Sequence, residues 1–126
     1  MSEENVEVVR RIYEAWLGGD SARDLIDADV EYVNPPDAVE GGTRRGRRAF
    51  AGIRDAYDDV RVEPERFIDA GPDVVVIARI TGKGRGSGVD IDWRQGYVWT
   101  VRDGKAVRFR WFTKPEQALE AAGLSD

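Results

Sequence analysis

The pair Asp103-Gly104 separates two long strand-like runs, Val89 to Arg102 and Lys105 to Thr113, and no other feature restricts the fold so strongly. Asp-Gly between alternating apolar residues is the turn chemistry of a two-residue hairpin, because both positions tolerate positive φ. A turn of that length sets Arg102 opposite Lys105 and, farther along, Val98 opposite Phe109. On that register one face carries Gly96, Val98, Thr100, Val107, Phe109 and Trp111. The other carries Trp93, Tyr97, Trp99, Val101 and Phe112, with Arg108 and Arg110 among the aromatics. A sheet with one solvated face alternates apolar and polar residues. Here both faces are largely apolar, so both are expected to be covered.

The rest of the chain supplies helices first and strands later. Val6, Val9, Ile12, Tyr13 and Trp16 form one stripe of a helix over 3–17, which Gly18-Gly19 ends. A short second helix is expected through Ala22, Leu25 and Ile26, followed by a strand from Asp29 to Asn34 with Val30, Tyr32 and Asn34 on its inner face. Pro35-Pro36 stops that strand, and a loop to about Gly46 leads into a third helix with Ala49, Phe50, Ile53, Ala56 and Tyr57 as its stripe. Strands are expected at about 60–69, 73–82, 89–102 and 105–113. Thr113-Lys114-Pro115-Glu116 reads as a capping box opening a helix over 114–122. The pattern is α+β with a mainly antiparallel sheet, in a single domain over 1–126.

Composition excludes several chemistries. The chain has no cysteine and no histidine, which removes thiolate nucleophiles, the commonest transition-metal ligands and the usual neutral-pH base. Any proton transfer must use Asp, Glu, Tyr, Lys or water, and no metal or cofactor is expected. A net charge of -5 argues against a nucleic-acid partner. No apolar run is long enough to span a bilayer, and Glu3, Glu4 and Glu7 stand where a signal peptide would be apolar, so a cytoplasmic location is expected.

The segments VVRRIYEAWLGGD, EYVNPP, GRRAFAGIRDAY and VWTVRDGKAVRFRWF together resemble the nuclear transport factor 2-like superfamily, and within it the SnoaL-like group. The resemblance spans nearly the whole chain. It implies a cone: a curved, mainly antiparallel sheet wrapped around N-terminal helices, with an apolar pocket and a homodimer formed through the sheet's outer face. The superfamily includes ketosteroid isomerase, epoxide hydrolases, polyketide cyclases and non-catalytic binding proteins, so fold alone does not assign an activity. Asn34 stands where isomerases of this kind carry a base Asp; their first-helix Tyr matches Ile12, and their neutral Asp falls near Gly96 or Tyr97. Tyr32-Val33-Asn34 reproduces the pair with which the epoxide hydrolases hold water, and Arg79 matches their Arg, but Thr81 and Trp111 replace their acids. The cyclases' Asp has no counterpart in Phe109-Arg110-Trp111-Phe112-Thr113.

A pocket of this kind would be lined by Tyr13, Trp16, Tyr32, Asn34, Phe50, Tyr57, Arg79, Phe109 and Trp111, and would take a small, mostly apolar molecule. Asp92 and Asp37 are the candidate catalytic bases, since desolvation can raise a carboxylate toward neutrality. Competing structural roles exist for each. Asn34 is a natural turn residue before Pro35, Tyr13 and Trp16 suit a core stripe, and Asp92 beside Asp90 suits solvent. Arg79, within an apolar strand, requires a carboxylate or ligand partner or an open face. Arg44-Arg45-Gly46-Arg47-Arg48 reads either as an anion site or as a solvated loop. Two functional classes follow: a cofactor-independent isomerase, cyclase or hydrolase, and a binding or dimeric interaction protein that has lost the base.

Overall fold

The structure, a computed structural model, describes residues 2–36, 42–51 and 57–124. Helix α1 (Ser2–Leu17) is followed by a 3-10 turn (Arg23–Leu25), strands β1 (Ile26–Asn34) and β2 (Gly42–Arg45), and a second 3-10 turn (Arg47–Ala51). Strands β3 (Tyr57–Ala70), β4 (Asp73–Gly84), β5 (Asp90–Arg102) and β6 (Lys105–Phe112) come next, and α2 (Pro115–Ala121) closes the order. The strands form one curved, open sheet in the order β2-β1-β6-β5-β4-β3, antiparallel everywhere except between β1 and β6. Register shifts in β1, twice in β3 and in the β5–β6 pair supply the bending. Pro64 sits at one of them, on an edge strand where its missing N–H costs no ladder bond.

α1 lies against the inner face, burying Val9, Ile12 and Tyr13 as its stripe requires. It ends in a paired 6→1 and 5→2 closure, Asp20 N–H to Ala15 O at 2.8 Å and Gly19 N–H to Trp16 O at 3.1 Å, made possible by Gly19 at φ 85°. The second helix is not formed beyond one 3-10 turn. Ala22 adopts a left-handed φ of 58° and the chain enters β1 at Ile26, three residues before the expected start. The third helix is a 3-10 turn where it is described; Ile53 and Ala56 lie outside the described residues, and Tyr57 opens β3 instead. The expected loop after the prolines contains β2, which pairs Asn34 with Gly42 and Tyr32 with Arg44.

The last hairpin departs from its expected register by one residue. Arg102 does face Lys105, but Val101 faces Ala106 and Thr100 faces Arg108, so Val107 is an extra residue in β6. Beyond that bulge Trp99 faces Phe109 and Tyr97 faces Trp111. A slip of one residue exchanges the faces of a strand. Tyr97, Trp99, Phe109 and Trp111 therefore share the inner face, and Val98, Arg110 and Phe112 share the outer. Of Trp93, Tyr97 and Trp99, the residues expected to meet a partner sheet, Tyr97 and Trp99 are core residues at 5% and 0% exposure and Trp93 is 40% exposed.

α2 covers part of the outer face, packing Ala118 and Leu119 on Val75 and Val98 with Ile68 and Phe112 at the edge. Its cap is shifted by one residue from the expected box. Gln117, not Glu116, reaches back, accepting from the Lys114 N–H at 3.2 Å and the Thr113 hydroxyl at 3.2 Å. Gly96 lets the helix seat: a Cβ there would stand 2.5 Å from the Ala118 Cβ and 3.0 Å from the Pro115 Cα. Backbone cannot yield as a side-chain tip can, so Gly96→Ala is expected to cost about 1–3 kcal/mol. Chemical denaturation measures it, and unchanged stability would show that α2 does not sit on Gly96.

Candidate functional site

The inner face of the sheet is built from aromatic rings in contact. β6 places Phe109 at the centre, its ring centroid 4.6 Å from Trp99, 5.1 Å from Tyr32 and 5.2 Å from Tyr97. The second 3-10 turn brings Phe50 across them, stacked on Trp99 at 5.6 Å and 5° and edge-on to Tyr32 at 5.1 Å. α1 contributes Tyr13 and Trp16, which meet Trp99 at 5.9 and 5.8 Å. Edge-to-face and offset pairs of this kind each add about 0.5–1.5 kcal/mol beyond area burial.

The polar tips of these rings are used. The Trp99 indole donates to the Tyr13 hydroxyl at 3.0 Å, and the Tyr97 hydroxyl donates to Gln95 Oε1 at 3.1 Å. Trp16 donates to the Ser21 carbonyl at 3.2 Å. At the end of β1, Asn34 Oδ1 accepts from the Trp111 indole at 2.7 Å, while its Nδ2 donates to the Gly42 carbonyl at 3.3 Å. Asn34 thus ties β1 to β6 and β2, and its amide faces inward with Tyr32. Tyr32, Asn34, Phe50 and Trp111 are half-buried, and Tyr13 and Phe109 are buried.

Seven of the expected lining residues, Tyr13, Trp16, Tyr32, Asn34, Phe50, Phe109 and Trp111, gather on this face. Arg79 and Asp92 do not. β4 and β5 point both to the outer face, where Arg79 Nε and Nη2 meet the two Asp92 oxygens at 2.8 and 2.7 Å. Arg79 has the carboxylate partner its position demands, and the pair is open to water, with side chains 46% and 58% exposed. The Arg79 hydrogen bond holds the Asp92 carboxyl below its ordinary value, away from the near-neutral range that suits a general base. A similar pair, Arg94 with Glu65 at 2.8 Å, lies beside it. Asp37 and the side chain of Tyr57 lie outside the described residues. Trp99 and Tyr97 were missed as lining residues because an unbulged hairpin turns them outward. Among the described residues no charged side chain is buried and no group of three acids could hold a metal.

The SnoaL-like domain profile matches residues 9–109, and the chain belongs to that family. It is similar in structure to an NTF2-like protein of unknown function from Burkholderia pseudomallei K96243, at 26% identity over 95% of this chain and 97% of that one, with a TM-score of 0.74. An NTF2-like protein from Burkholderia thailandensis E264 shares the fold at 24% identity, 95% and 97% coverage and a TM-score of 0.76. TerC, co-crystallized with polyporic acid, is similar at 25% identity, 95% and 98% coverage and a TM-score of 0.73. No curated protein matches the chain. No helix among the described residues is long and apolar enough to cross a membrane.

Burial raises the hydroxyl pKa of Tyr13, Tyr97 and Tyr32 above the usual tyrosine value, most strongly for the first two. These phenols remain neutral hydrogen-bonding groups at physiological pH and are poor bases. Because the folded values are raised, the associated stability is fully present below pH ~10 and is lost above it, where only the unfolded chain ionises freely. Melting temperature is therefore expected to fall as pH rises past ~10, and tyrosinate absorbance of the folded chain should show at most one of its 4 tyrosines ionising near ~10. Ordinary titration of three or more would mean that the aromatic face is open to water.

Proposed function

We propose that the chain is a small-molecule binding protein of the SnoaL-like type, taking a small, flat, mostly apolar ligand on the aromatic inner face. The observation carrying this reading is the half-buried group of Tyr32, Phe50 and Trp111 around Asn34. Rings supply area and stacking, and a few placed polar groups supply orientation, the usual make-up of a ligand site. TerC, of the same fold, was co-crystallized with a small molecule, which supports the reading. An acid–base reaction there would need a carboxylate at the inner face. Asp92 would have to act from the opposite side of the sheet, so binding is the better supported function. Asp37 remains a candidate base for the enzymatic alternative. No cofactor enters either reading.

The proposal extends to a cytoplasmic homodimer formed through the part of the outer face that α2 leaves open. Arg110 lies on that face with its guanidinium 3.6 Å from Asp73, both side chains only partly exposed. Light scattering at micromolar concentration should give twice the chain mass; a monomer rejects the dimer.

Asn34→Leu tests the binding site. It removes the acceptor of the Trp111 indole, expected to cost about 1–3 kcal/mol of stability. Ligands found by thermal shift should lose their effect on the variant. Strong destabilisation with unchanged binding would show that Asn34 only ties strand ends together.

A further inference from the structure

Phe50 is held differently from the other rings of the inner face. Among the described residues those rings stand on α1 or on paired strands, whereas Phe50 stands on the 3-10 turn Arg47–Ala51. The hydrogen bonds of such a turn are poorer in geometry than those of an α-helix. Indole N–H groups tie Trp99 to Tyr13, Trp111 to Asn34 and Trp16 to the Ser21 carbonyl, and a phenyl ring has no such tip. Two anchors of the turn lie before Phe50. The Gly46 N–H donates to the Val30 carbonyl at 2.8 Å, and Arg47 Nε donates to the Ile26 carbonyl at 2.9 Å. Gly46, at φ 97°, makes the bend that leads from β2 into the turn. The Phe50 ring can therefore leave the sheet with both anchors kept.

What the ring covers is the best stacking surface of the inner face. It lies parallel to the Trp99 indole, 5.6 Å away at 5°, and meets Phe109 at 5.1 Å and Trp16 at 5.5 Å. Trp99 and Phe109 are 0% and 5% exposed, whereas Phe50 above them is half-buried. A flat molecule seeking the widest contact here would lie parallel on Trp99, with Phe109 and Tyr32 at its edges. Phe50 occupies that place.

We infer that Phe50 is a displaceable occupant of the ligand's place, and that a fused-ring ligand binds by moving the Phe50 ring off Trp99 and stacking there itself. This rests on the binding reading above and adds to it how the site opens and which ligands open it. A single benzene ring gains no more contact than Phe50 gives up, whereas two fused rings cover more apolar area. Ligand and Phe50 exclude each other, so the apparent affinity is the intrinsic one reduced by the fraction of chains in which Phe50 has moved aside. With no ligand bound, the ring shields Trp99 and Phe109 from water.

2-Naphthol, flat and neutral, is a suitable probe. In the native chain, nuclear Overhauser contacts between the Phe50 and Trp99 rings are expected to vanish as naphthol is added, and contacts from naphthol to Trp99 to replace them. By calorimetric titration F50A should bind naphthol about tenfold more tightly than the native chain, as for a site open in about one chain in ten. F50L, which keeps apolar bulk and guards against poor folding of F50A, should also bind more tightly than the native chain. A Phe50–Trp99 contact that persists in the naphthol-bound native chain, or weaker binding by the variants, makes Phe50 a fixed wall; either overturns the displacement and leaves the binding site standing. Binding by the variants alone also overturns it, since Phe50 then never yields. Binding by none of the three overturns the binding reading, and the inference with it.

Discussion

A single extra residue, Val107, decides which side chains meet. Without it β5 and β6 would be in phase from the turn onward, and Phe109 would share a face with Val98. With it, Phe109 and Trp111 rotate onto the face of Trp99 and Tyr97, and the aromatic cluster exists. The outer face then receives the smaller residues Gly96 and Val98, on which α2 can lie close. One bulge thus separates the molecule into a wide aromatic inner surface and a tight outer contact. Neither feature survives a shift of one position, because side chains alternate strictly along a strand.

The elements whose signals are local were legible in the sequence. α1 carries its 3.6-residue stripe and its double-glycine stop, and the Asp103-Gly104 turn forms where its chemistry requires, with Asp103 and Gly104 both at positive φ. The parity of β1 was also legible, since Val30 and Tyr32 mark its inner face as clearly as Pro35 marks its end. What failed depended on partners distant in sequence. β2 is four exposed residues with no apolar alternation, and it becomes a strand because β1 offers it an edge. The bulge in the last hairpin leaves no turn signal; both registers bury apolar residues, and only contact with α1 and α2 chooses between them.

The site was readable in part for the same reason. Residues placed by α1 and β1 arrived where expected, whereas Tyr97 and Trp99 depended on the bulge. Arg79 and Asp92 lie on the outer face, where two of the alternatives open to Arg79, a carboxylate partner and an open face, are both realised. β4 has continuous burial from Val74 to Ala78 because both its faces are covered there. At Arg79 the outer cover has ended, so the guanidinium reaches water and needs no burial at all. The exposed Arg79–Asp92 and Arg94–Glu65 pairs contribute little stability, the usual worth of such pairs. Their effect is to make that part of the outer face polar.

Polarity is therefore divided between the two faces in different forms. The outer face holds its charges as complementary pairs, which cancel over short distances. The inner face holds neutral donors, indoles and phenols already engaged with Tyr13, Asn34 and Gln95. A ligand on such a surface would be held through contact area and ring geometry, since it would meet groups whose hydrogen bonds are made and whose rings cannot easily be ionised. An unpaired charge carried deep among these rings would lose its hydration without compensation. A ligand's charged group is therefore tolerated only near the rim.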